Sequence, residues 1–333
     1  YEITNSVNRE DIESSKYIAF ADGYVRYSND GIAYIDRKNN TIWNETYSMQ
    51  KPQVKQCGES VAVGDINGSS IYIFNKEGLL GKVDTSLTIS QIEVGSQGVV
   101  VAVLEDNTAN YINMYNTDGS KIYSVKTTLE GDGYPLDISI SEDAKKLIAS
   151  FVYVSGEEMK TNVVFYNFSE VGQNETERVV GGFNHYDNTL VPDVEFVNQT
   201  TAVAVGENII SIYNIKEYPT LSKEISVENT IEHVFWGSKY IGLVLDNSEN
   251  GDLYKMVVYD LSGSIVFQTT FSTQYDSDSI LMSSSNVFSV MNMYGKLLTT
   301  QTVELPIDTV LTTGSRGSYV LINSKYIQNI KLK

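Results

Sequence analysis

One phrase recurs along the 333-residue chain: an apolar strand-forming run, then an aromatic or aliphatic residue, an Asn or Asp, and a turn. It is clearest as IYIFNKEG at 71–78, INMYNTDG at 112–119 and MVVYDLSG at 256–263. The copies stand 39 to 51 residues apart, and a four-stranded propeller blade takes about 40–50 residues. The paired positions are Ile35-Asp36, Phe74-Asn75, Tyr115-Asn116, Tyr166-Asn167, Tyr213-Asn214 and Tyr259-Asp260.

Further strands flank each copy of the phrase. A second apolar run precedes it and a more polar run follows, as expected for an outer edge that faces solvent. The sequence therefore predicts an all-β propeller of four-stranded blades, in one domain over residues 1–333. Eight blades are favoured and seven is the alternative count, with the N-terminal strand EITNS at 2–6 closing the ring. The innermost strands are expected to start near residues 17, 53, 91, 137, 193, 233, 279 and 309.

The composition narrows the range of partners. The formal net charge of −18 repels phosphate backbones, so nucleic acid is not expected as a partner. The single cysteine, Cys57, excludes an internal disulfide framework and a thiolate metal cluster built from this chain alone. No apolar run reaches the roughly 20 residues that cross a bilayer. Because the chain begins at Tyr1 without an initiator Met, we expect that an upstream leader or anchor has been removed.

A polar ring is expected around the central channel. Aligning the predicted innermost strands places a polar residue just before each of five apolar ones, and side-chain alternation adds a second set two residues later. A water-filled channel needs such solvated side chains, and a ligand site is the alternative explanation. The first set is Gln53, Gln91, Asp137, Asp193 and His233, and the second set is Lys55, Glu93, Ser139 and Glu195.

Three longer connections, at 128–137, 181–193 and 271–279, are expected on one face of the ring. Exposed Tyr beside Asp can recognise a ligand, because Tyr offers contact area and a hydrogen bond at small entropic loss. His185 beside Asp187 could be an oriented imidazole, and ordinary polar loops are the alternative interpretation. The candidate binding residues are Tyr134, Asp137, His185, Tyr186, Asp187, Asp193, Glu195, His233, Tyr275 and Asp276.

The sequence offers little for catalysis. It has two histidines, and neither a Gly-rich phosphate loop nor a Gly-x-Ser-x-Gly nucleophile motif occurs. Cys57 lies in the strand-like run VKQCGE, where a buried thiol is the default. We therefore assign no catalytic residue, no metal ligand and no cofactor.

Three stretches together resemble a family of uncharacterised propeller-like proteins of Gram-positive anaerobic bacteria: GYVRYSNDGIAYIDRKNNTIWNE, GYPLDISISEDAKKLIASF and VVFYNFSEVGQNE. The resemblance spans nearly the whole chain. It implies an N-terminal membrane anchor with the propeller outside the cell, and it brings no assigned catalytic or binding residues. ISEDAKKLIAS also resembles the Ser-Pro-Asp-Gly hairpin of WD40-like propellers, and NNTIWNE resembles a strand of quinoprotein-like repeats.

These observations favour a non-enzymatic, extracytoplasmic propeller that binds a protein, peptide or glycan at the cell surface. The alternative is a metal-dependent hydrolase or lyase, in which Asp137, Asp193 and Glu195 hold a divalent cation in the acidic channel with His185 nearby. A third possibility is a purely structural module that separates an anchor from another protein.

Overall fold

The protein is all-β. The computed structural model describes residues 1–10, 14–247, 254–271, 274–277, 280–291, 297–313, 315 and 317–332. Within them the chain forms 32 strands, which pair antiparallel into eight sheets of four, and two short helical turns, α1 (Glu170–Gln173) and a 3₁₀ turn (Thr176–Arg178). No helix in this part of the chain is long and apolar enough to cross a bilayer. The predicted four-stranded blade is therefore confirmed.

Seven sheets are continuous in sequence, and we number them as blades 1 to 7. Contacts between the first strands of successive blades show that each blade runs from its innermost to its outermost strand. Blade 1 consists of β2 (Lys16–Phe20), β3 (Gly23–Ser28), β4 (Gly31–Ile35) and β5 (Thr41–Thr46). Blade 2 consists of β6 (Pro52–Cys57), β7 (Ser60–Asp65), β8 (Ser70–Asn75) and β9 (Gly78–Asp84). Blade 3 consists of β10 (Thr88–Val94), β11 (Val100–Glu105), β12 (Ala109–Tyr115) and β13 (Lys121–Thr128). Blade 4 consists of β14 (Tyr134–Ile140), β15 (Lys146–Ser155), β16 (Glu158–Asn167) and β17 (Val179–Asp187). Blade 5 consists of β18 (Asp193–Asn198), β19 (Thr201–Val205), β20 (Ile209–Ile215) and β21 (Pro219–Ser226). Blade 6 consists of β22 (Ile231–Gly237), β23 (Tyr240–Asp246), β24 (Tyr254–Asp260) and β25 (Ile265–Phe271). Blade 7 consists of β26 (Gln274–Ser277), β27 (Ile280–Ser284), β28 (Val287–Met291) and β29 (Leu297–Thr302).

The remaining sheet, the closing sheet, is composite. It contains β30 (Ile307–Thr312), β31 (Ser318–Asn323) and β32 (Tyr326–Lys331) from the C-terminal end and β1 (Glu2–Asn8) from the N-terminal end. The count of eight blades is corrected accordingly, because the chain supplies seven complete blades and the strands of its two ends close the ring. This closure satisfies backbone groups that an open ring would leave unpaired at both ends.

The recurring phrase forms the turn between the third and fourth strands of a blade. The Asn75 Oδ1 atom accepts hydrogen bonds from the backbone nitrogens of Glu77 at 2.9 Å and Gly78 at 3.1 Å. Asp260 Oδ1 does the same for Ser262 at 2.9 Å and Ser264 at 3.0 Å. Asn and Asp recur at this position because a short polar side chain can satisfy turn amides two to four residues ahead.

The aromatic residue of the phrase packs between blades. Phe74 is fully buried, and its ring stacks on that of Trp43 from blade 1 at a centroid distance of 4.8 Å. Phe20 and Tyr34 of blade 1 belong to the same buried cluster. The hydrophobic core therefore lies between neighbouring sheets, which leaves the innermost strands free to carry polar side chains.

One expected strand position is wrong. The innermost strand of blade 7 was expected to start near residue 279, whereas it is β26, Gln274–Ser277. The more apolar run Ile280–Ser284 is the second strand, β27. The difference follows from the architecture, since an innermost strand borders the channel and is more polar than the strand behind it, which is packed on both faces.

We expect the turn hydrogen bonds to stabilise each blade measurably. Asp260→Ala removes two backbone-directed hydrogen bonds from an exposed turn and should lower the free energy of unfolding by about 1–2 kcal/mol. Asp260→Asn keeps an oxygen acceptor and should recover most of that loss. Urea unfolding of both variants checks this, and equal destabilisation by Ala and Asn would contradict the turn-capping role.

Candidate functional site

The innermost strands of blades 2 to 5 bring polar side chains together around the channel. Lys55 Nζ forms an ion pair with Glu93 from the next blade. Ser139 Oγ donates a hydrogen bond to Glu195 Oε2 at 3.2 Å and accepts one from the backbone nitrogen of Phe196 at 2.9 Å. The alternation expected for these strands therefore places these four side chains in cross-blade contacts.

The residues two positions earlier also connect neighbouring blades. Asp137 Oδ2 accepts a hydrogen bond from the backbone nitrogen of Val194 at 2.8 Å. Gln91 Nε2 donates to the backbone oxygen of Leu136 at 2.8 Å. The Oε1 atoms of Gln53 and Gln91 are buried and accept no hydrogen bond from any described residue. The channel wall is thus polar, and hydrogen bonds join its neighbouring blades. The Oε1 atoms of Gln53 and Gln91 are still available as acceptors.

Carboxylates dominate the electrostatics of this wall. Burial raises the pKa of Asp137 to about 7, against the opposing effects of the Val194 amide and the Lys55 ammonium. Burial, and then the charge of Glu93, raise the pKa of Glu195 to about 8. Burial also raises the pKa of Glu93, although Lys55 lowers it. One ammonium does not neutralise these carboxyls, so some of them retain protons near neutral pH.

A pocket of about 210 Å³ opens where the innermost strands of blades 2 to 5 end. We call it the mouth pocket. The carboxyl groups of Glu93, Glu142 and Glu195 line it, and its apolar walls include Ile140 and Phe196. Glu142 is exposed at the turn that follows β14, whereas Glu93 lies deeper, with 13% of its side chain exposed. The pocket therefore combines negative charge with apolar contact area.

Cys57 also lines the mouth pocket. Burial, followed by the charges of Glu142, Glu93 and Glu195, raises the pKa of the Cys57 thiol to about 11. Because the thiolate is the nucleophilic form, this environment suppresses its reactivity near neutral pH. The thiol is thus a wall of the pocket and is poorly suited to be a nucleophile.

Of the predicted surface residues, Tyr134 is exposed. It begins β14, at the opposite end of the channel from the mouth pocket, and is 42% exposed. Its hydroxyl donates a hydrogen bond to Glu105, which raises the pKa of Tyr134 to about 12, with burial as the second cause. His233 is also exposed, on the innermost strand β22.

The expected exposed loop at 181–193 is wrong for its first half. Residues 179–187 form β17, the outermost strand of blade 4, which extends because β15 and β16 are ten residues long each. Tyr186 is 2% exposed, and its hydroxyl is hydrogen-bonded to that of Tyr213. Tyr186 therefore cannot be part of an exposed recognition surface.

His185 is separated from the channel carboxyls. Its Nε2 atom lies 3.1 Å from Glu224 Oε2 of the neighbouring outermost strand, and its ring stacks on Tyr186 at 4.3 Å. Asp137 is on the innermost strand of the same sheet. Three strand spacings, about 14 Å, separate the two backbones. The structure therefore does not bring His185 together with Asp137, Asp193 and Glu195.

The remaining predicted residues also lie in different parts of the ring. Asp193 begins β18 beside Asp137, and burial raises its pKa. Asp187 ends β17, and its side chain lies outside the described part of the structure, as do the side chains of Tyr275 and Asp276 in β26. Among the described residues, no three His, Cys, Asp or Glu side chains are grouped so that they could hold a metal ion.

Sequence reasoning missed Glu142 and the role of Cys57. Cys57 follows Lys55 by two positions, so continued alternation along β6 would have placed both on the same side. Glu142 lies in a turn, and its approach to Glu93 and Glu195 depends on three blades meeting. No local sequence signal reports that convergence.

A family model matches residues 1–332 and is described as "Family of unknown function (DUF5711)". The chain belongs to this family. The predicted resemblance to a propeller family without an assigned function is therefore confirmed. No curated protein matches the sequence.

Several solved propellers share the fold. BamB from Moraxella catarrhalis aligns with a TM-score of 0.59 and 8% identity, covering 99% of each chain. A eukaryotic initiation factor aligns with a TM-score of 0.59 and 12% identity, over 94% of this chain and 82% of its own. Chaetomium thermophilum Sqt1, solved bound to the N-terminus of the ribosomal protein L10, gives a TM-score of 0.57 and 9% identity, over 96% of this chain and 92% of its own. Identities this low show a common fold alone.

We expect the burial of Glu195 to make stability depend on pH. Its folded-state pKa of about 8 lies above its ordinary value, so the folded protein loses stability as pH rises from about 4.5 to 8. Glu195→Gln should raise the free energy of unfolding by about 1–3 kcal/mol at about pH 9 and change it little at about pH 4. Urea unfolding across this range measures the effect.

The matched control is Glu228→Gln, which neutralises an exposed carboxylate between β21 and β22. It should change stability by less than about 0.5 kcal/mol at any pH. A constant effect of Glu195→Gln across the whole range would contradict the assignment.

Proposed function

We propose that this protein is a non-enzymatic interaction module that binds a protein or peptide partner at the mouth pocket. The observation that carries the proposal is the convergence of Glu93, Glu142 and Glu195 around apolar walls at the end of the channel. A Lys or Arg side chain of a partner fits this chemistry, because its aliphatic stem can contact the apolar walls while its head group meets the carboxylates.

The alternative of a hydrolase or lyase receives no support from the arrangement of the residues. It requires His185 near the channel carboxyls, and His185 instead pairs with Glu224 on an outermost strand. The thiol in the pocket is held protonated by burial and by nearby negative charges. Charged and apolar groups without an activated nucleophile favour recognition over reaction.

The structural comparisons are consistent with a polypeptide partner. Sqt1 is a propeller of similar fold that was solved with the N-terminus of another protein bound. We carry over only the general capacity of this architecture to hold the end of a chain, since the two sequences are 9% identical. A glycan, the other expected partner, would use the carboxylates as hydrogen-bond acceptors, and its binding would depend little on salt.

We further propose an extracytoplasmic location at the cell surface, with a membrane anchor upstream of Tyr1. This part of the proposal rests on the resemblance to membrane-anchored propeller proteins of Gram-positive anaerobes. An acidic, cysteine-poor chain is compatible with export, because it needs no disulfides to complete its core.

The test of partner binding uses a short fluorescein-labelled lysine-rich peptide and fluorescence anisotropy at about pH 9, where the Glu195 carboxyl is ionised and lysine side chains remain protonated. We expect the double variant Glu142→Gln/Glu195→Gln to bind this peptide about tenfold more weakly, a change of about 1.4 kcal/mol. Both substitutions preserve side-chain shape, so the loss would report the missing charge. Binding by the wild type should also weaken as salt is added.

The matched control is Glu130→Gln/Glu228→Gln, which removes the same net charge from two exposed residues at the opposite end of the channel. It should bind the peptide as the wild type does. Equal weakening in both double variants would show that binding follows net charge alone, and the mouth pocket would lose its support. Weakening in the control alone would place the binding face at the Tyr134 end of the ring.

A further inference from the structure

A second pocket, of about 370 Å³, lies at the seam between the closing sheet and blade 1. We call it the seam pocket. Thr4 of β1 and Asn329 and Lys331 of β32 line it together with Arg37, from the turn between β4 and β5, and Ser315, between β30 and β31. The two ends of the chain and the first blade therefore all contribute to its walls.

The charge of the seam pocket is opposite to that of the protein as a whole. Its described lining contains Arg37 and Lys331 and no carboxylate. The chain has 42 Asp and Glu against 24 Lys and Arg, so a pocket lined in this way departs from the average surface. The mouth pocket, by contrast, has three carboxylates in its lining, and a third pocket, at blade 1, has Glu10, Asp30 and Glu45 together with Arg26.

Hydrogen bonds fix the position of Arg37. Its Nη1 atom donates to Ser315 Oγ at 3.1 Å, and its backbone oxygen accepts a hydrogen bond from Asn329 Nδ2 at 2.9 Å. Asn329 is 8% exposed, so this anchor is buried within the sheet. Arg37 Nε also lies 3.5 Å from Asp22 Oδ2, outside the pocket lining. The side-chain contacts use Nε and Nη1, and no contact with a described residue uses Nη2, so the two N–H groups of Nη2 are available to a ligand.

The acidic groups near the two cations are shared or exposed. Asp22 also accepts a hydrogen bond from the Tyr34 hydroxyl, which takes up part of its acceptor capacity. Glu2 is opposite Lys331 in the pairing of β1 with β32, and it is exposed to solvent. Solvent screens exposed carboxylates, so Asp22 and Glu2 oppose an incoming anion only weakly.

We propose that the seam pocket binds a small tetrahedral oxyanion, a phosphate or sulfate group, either free or as the terminal ester of a larger ligand. The planar guanidinium of Arg37 can donate two parallel hydrogen bonds to such a group, and Lys331 adds a point charge. The Ser315 hydroxyl, which accepts a hydrogen bond from Arg37 Nη1, can donate its own proton to the anion, whereas the Thr4 hydroxyl already donates to the backbone oxygen of Asn329. The proposal does not depend on what the mouth pocket binds.

Binding at this position has a consequence for the fold. The pocket includes residues of β1, β32 and blade 1, so it exists only when the ring is closed. A ligand that binds the closed ring and not the unfolded chain stabilises the protein by linkage. Thermal stability therefore reports occupancy directly.

The test compares thermal unfolding of the whole chain in phosphate, sulfate, acetate and chloride at equal ionic strength. Phosphate or sulfate should raise the unfolding midpoint progressively with concentration, and acetate and chloride should not. Broadening of the ³¹P resonance of inorganic phosphate by the protein gives a second, direct measure. A response to acetate equal to that of phosphate would overturn the assignment to a tetrahedral anion.

Variants separate specific binding from the general stabilising effect of these salts on folded proteins. Lys331→Gln and Arg37→Gln should each reduce the phosphate-dependent shift and the ³¹P broadening at least fivefold, and Arg37→Lys should retain part of both. Lys121→Gln, an exposed lysine on β13, is the matched control and should respond like the wild type. If Lys331→Gln, which leaves the Arg37 turn intact, responds fully to phosphate, the proposal is overturned.

Discussion

The pairing of β1 with β32 is the interaction on which the rest of the structure depends. It runs from Glu2 opposite Lys331 to Asn8 opposite Tyr326, and it joins the two ends of the chain into one sheet. Arg9 continues the contact beyond the strand, because its side chain, 10% exposed, pairs with Asp308 of the innermost strand β30. Without this pairing the C-terminal sheet would lack its outermost strand, and the two ends of the chain would be held together only by contacts between sheets, such as those of β30 with β2.

Closing the ring forces the innermost strands to converge, and this convergence explains the acidic channel wall. The apolar faces of each sheet are buried between neighbouring blades. The innermost strands therefore carry polar groups, which face one another across the central channel. Lys55 and Glu93 partly compensate each other, whereas Asp137 and Glu195 have raised pKa values because burial disfavours their charged forms. The protein tolerates carboxyl groups that weaken the fold at high pH, which is common where charge serves recognition.

The sequence predicts most of the fold and about half of the candidate site. The blades were predictable because turn chemistry is local: Asn75 and Asp260 satisfy amides within four residues. The channel contacts followed from alternation along strands of known direction. His185 and Tyr186 were misplaced because the long hairpin of blade 4 extends the outermost strand into a predicted loop. The mouth and seam pockets join residues from several blades, and their formation depends on distances around the ring that no local pattern encodes.

The net charge of the protein does not predict the local charge of each of the two pockets. A charge of −18 describes the mean field, and it disfavours extended polyanions that must contact a large surface. At about 0.15 M salt, however, a charge is screened beyond roughly 8 Å, so each pocket responds mainly to its own lining. Glu142 lies between β14 and β15, and Ser315 lies between β30 and β31, so both pockets involve the turns on one face of the ring. One face can therefore present a cation-selective and an anion-selective site in different blades, and a partner that carries both charges would gain from contacting both.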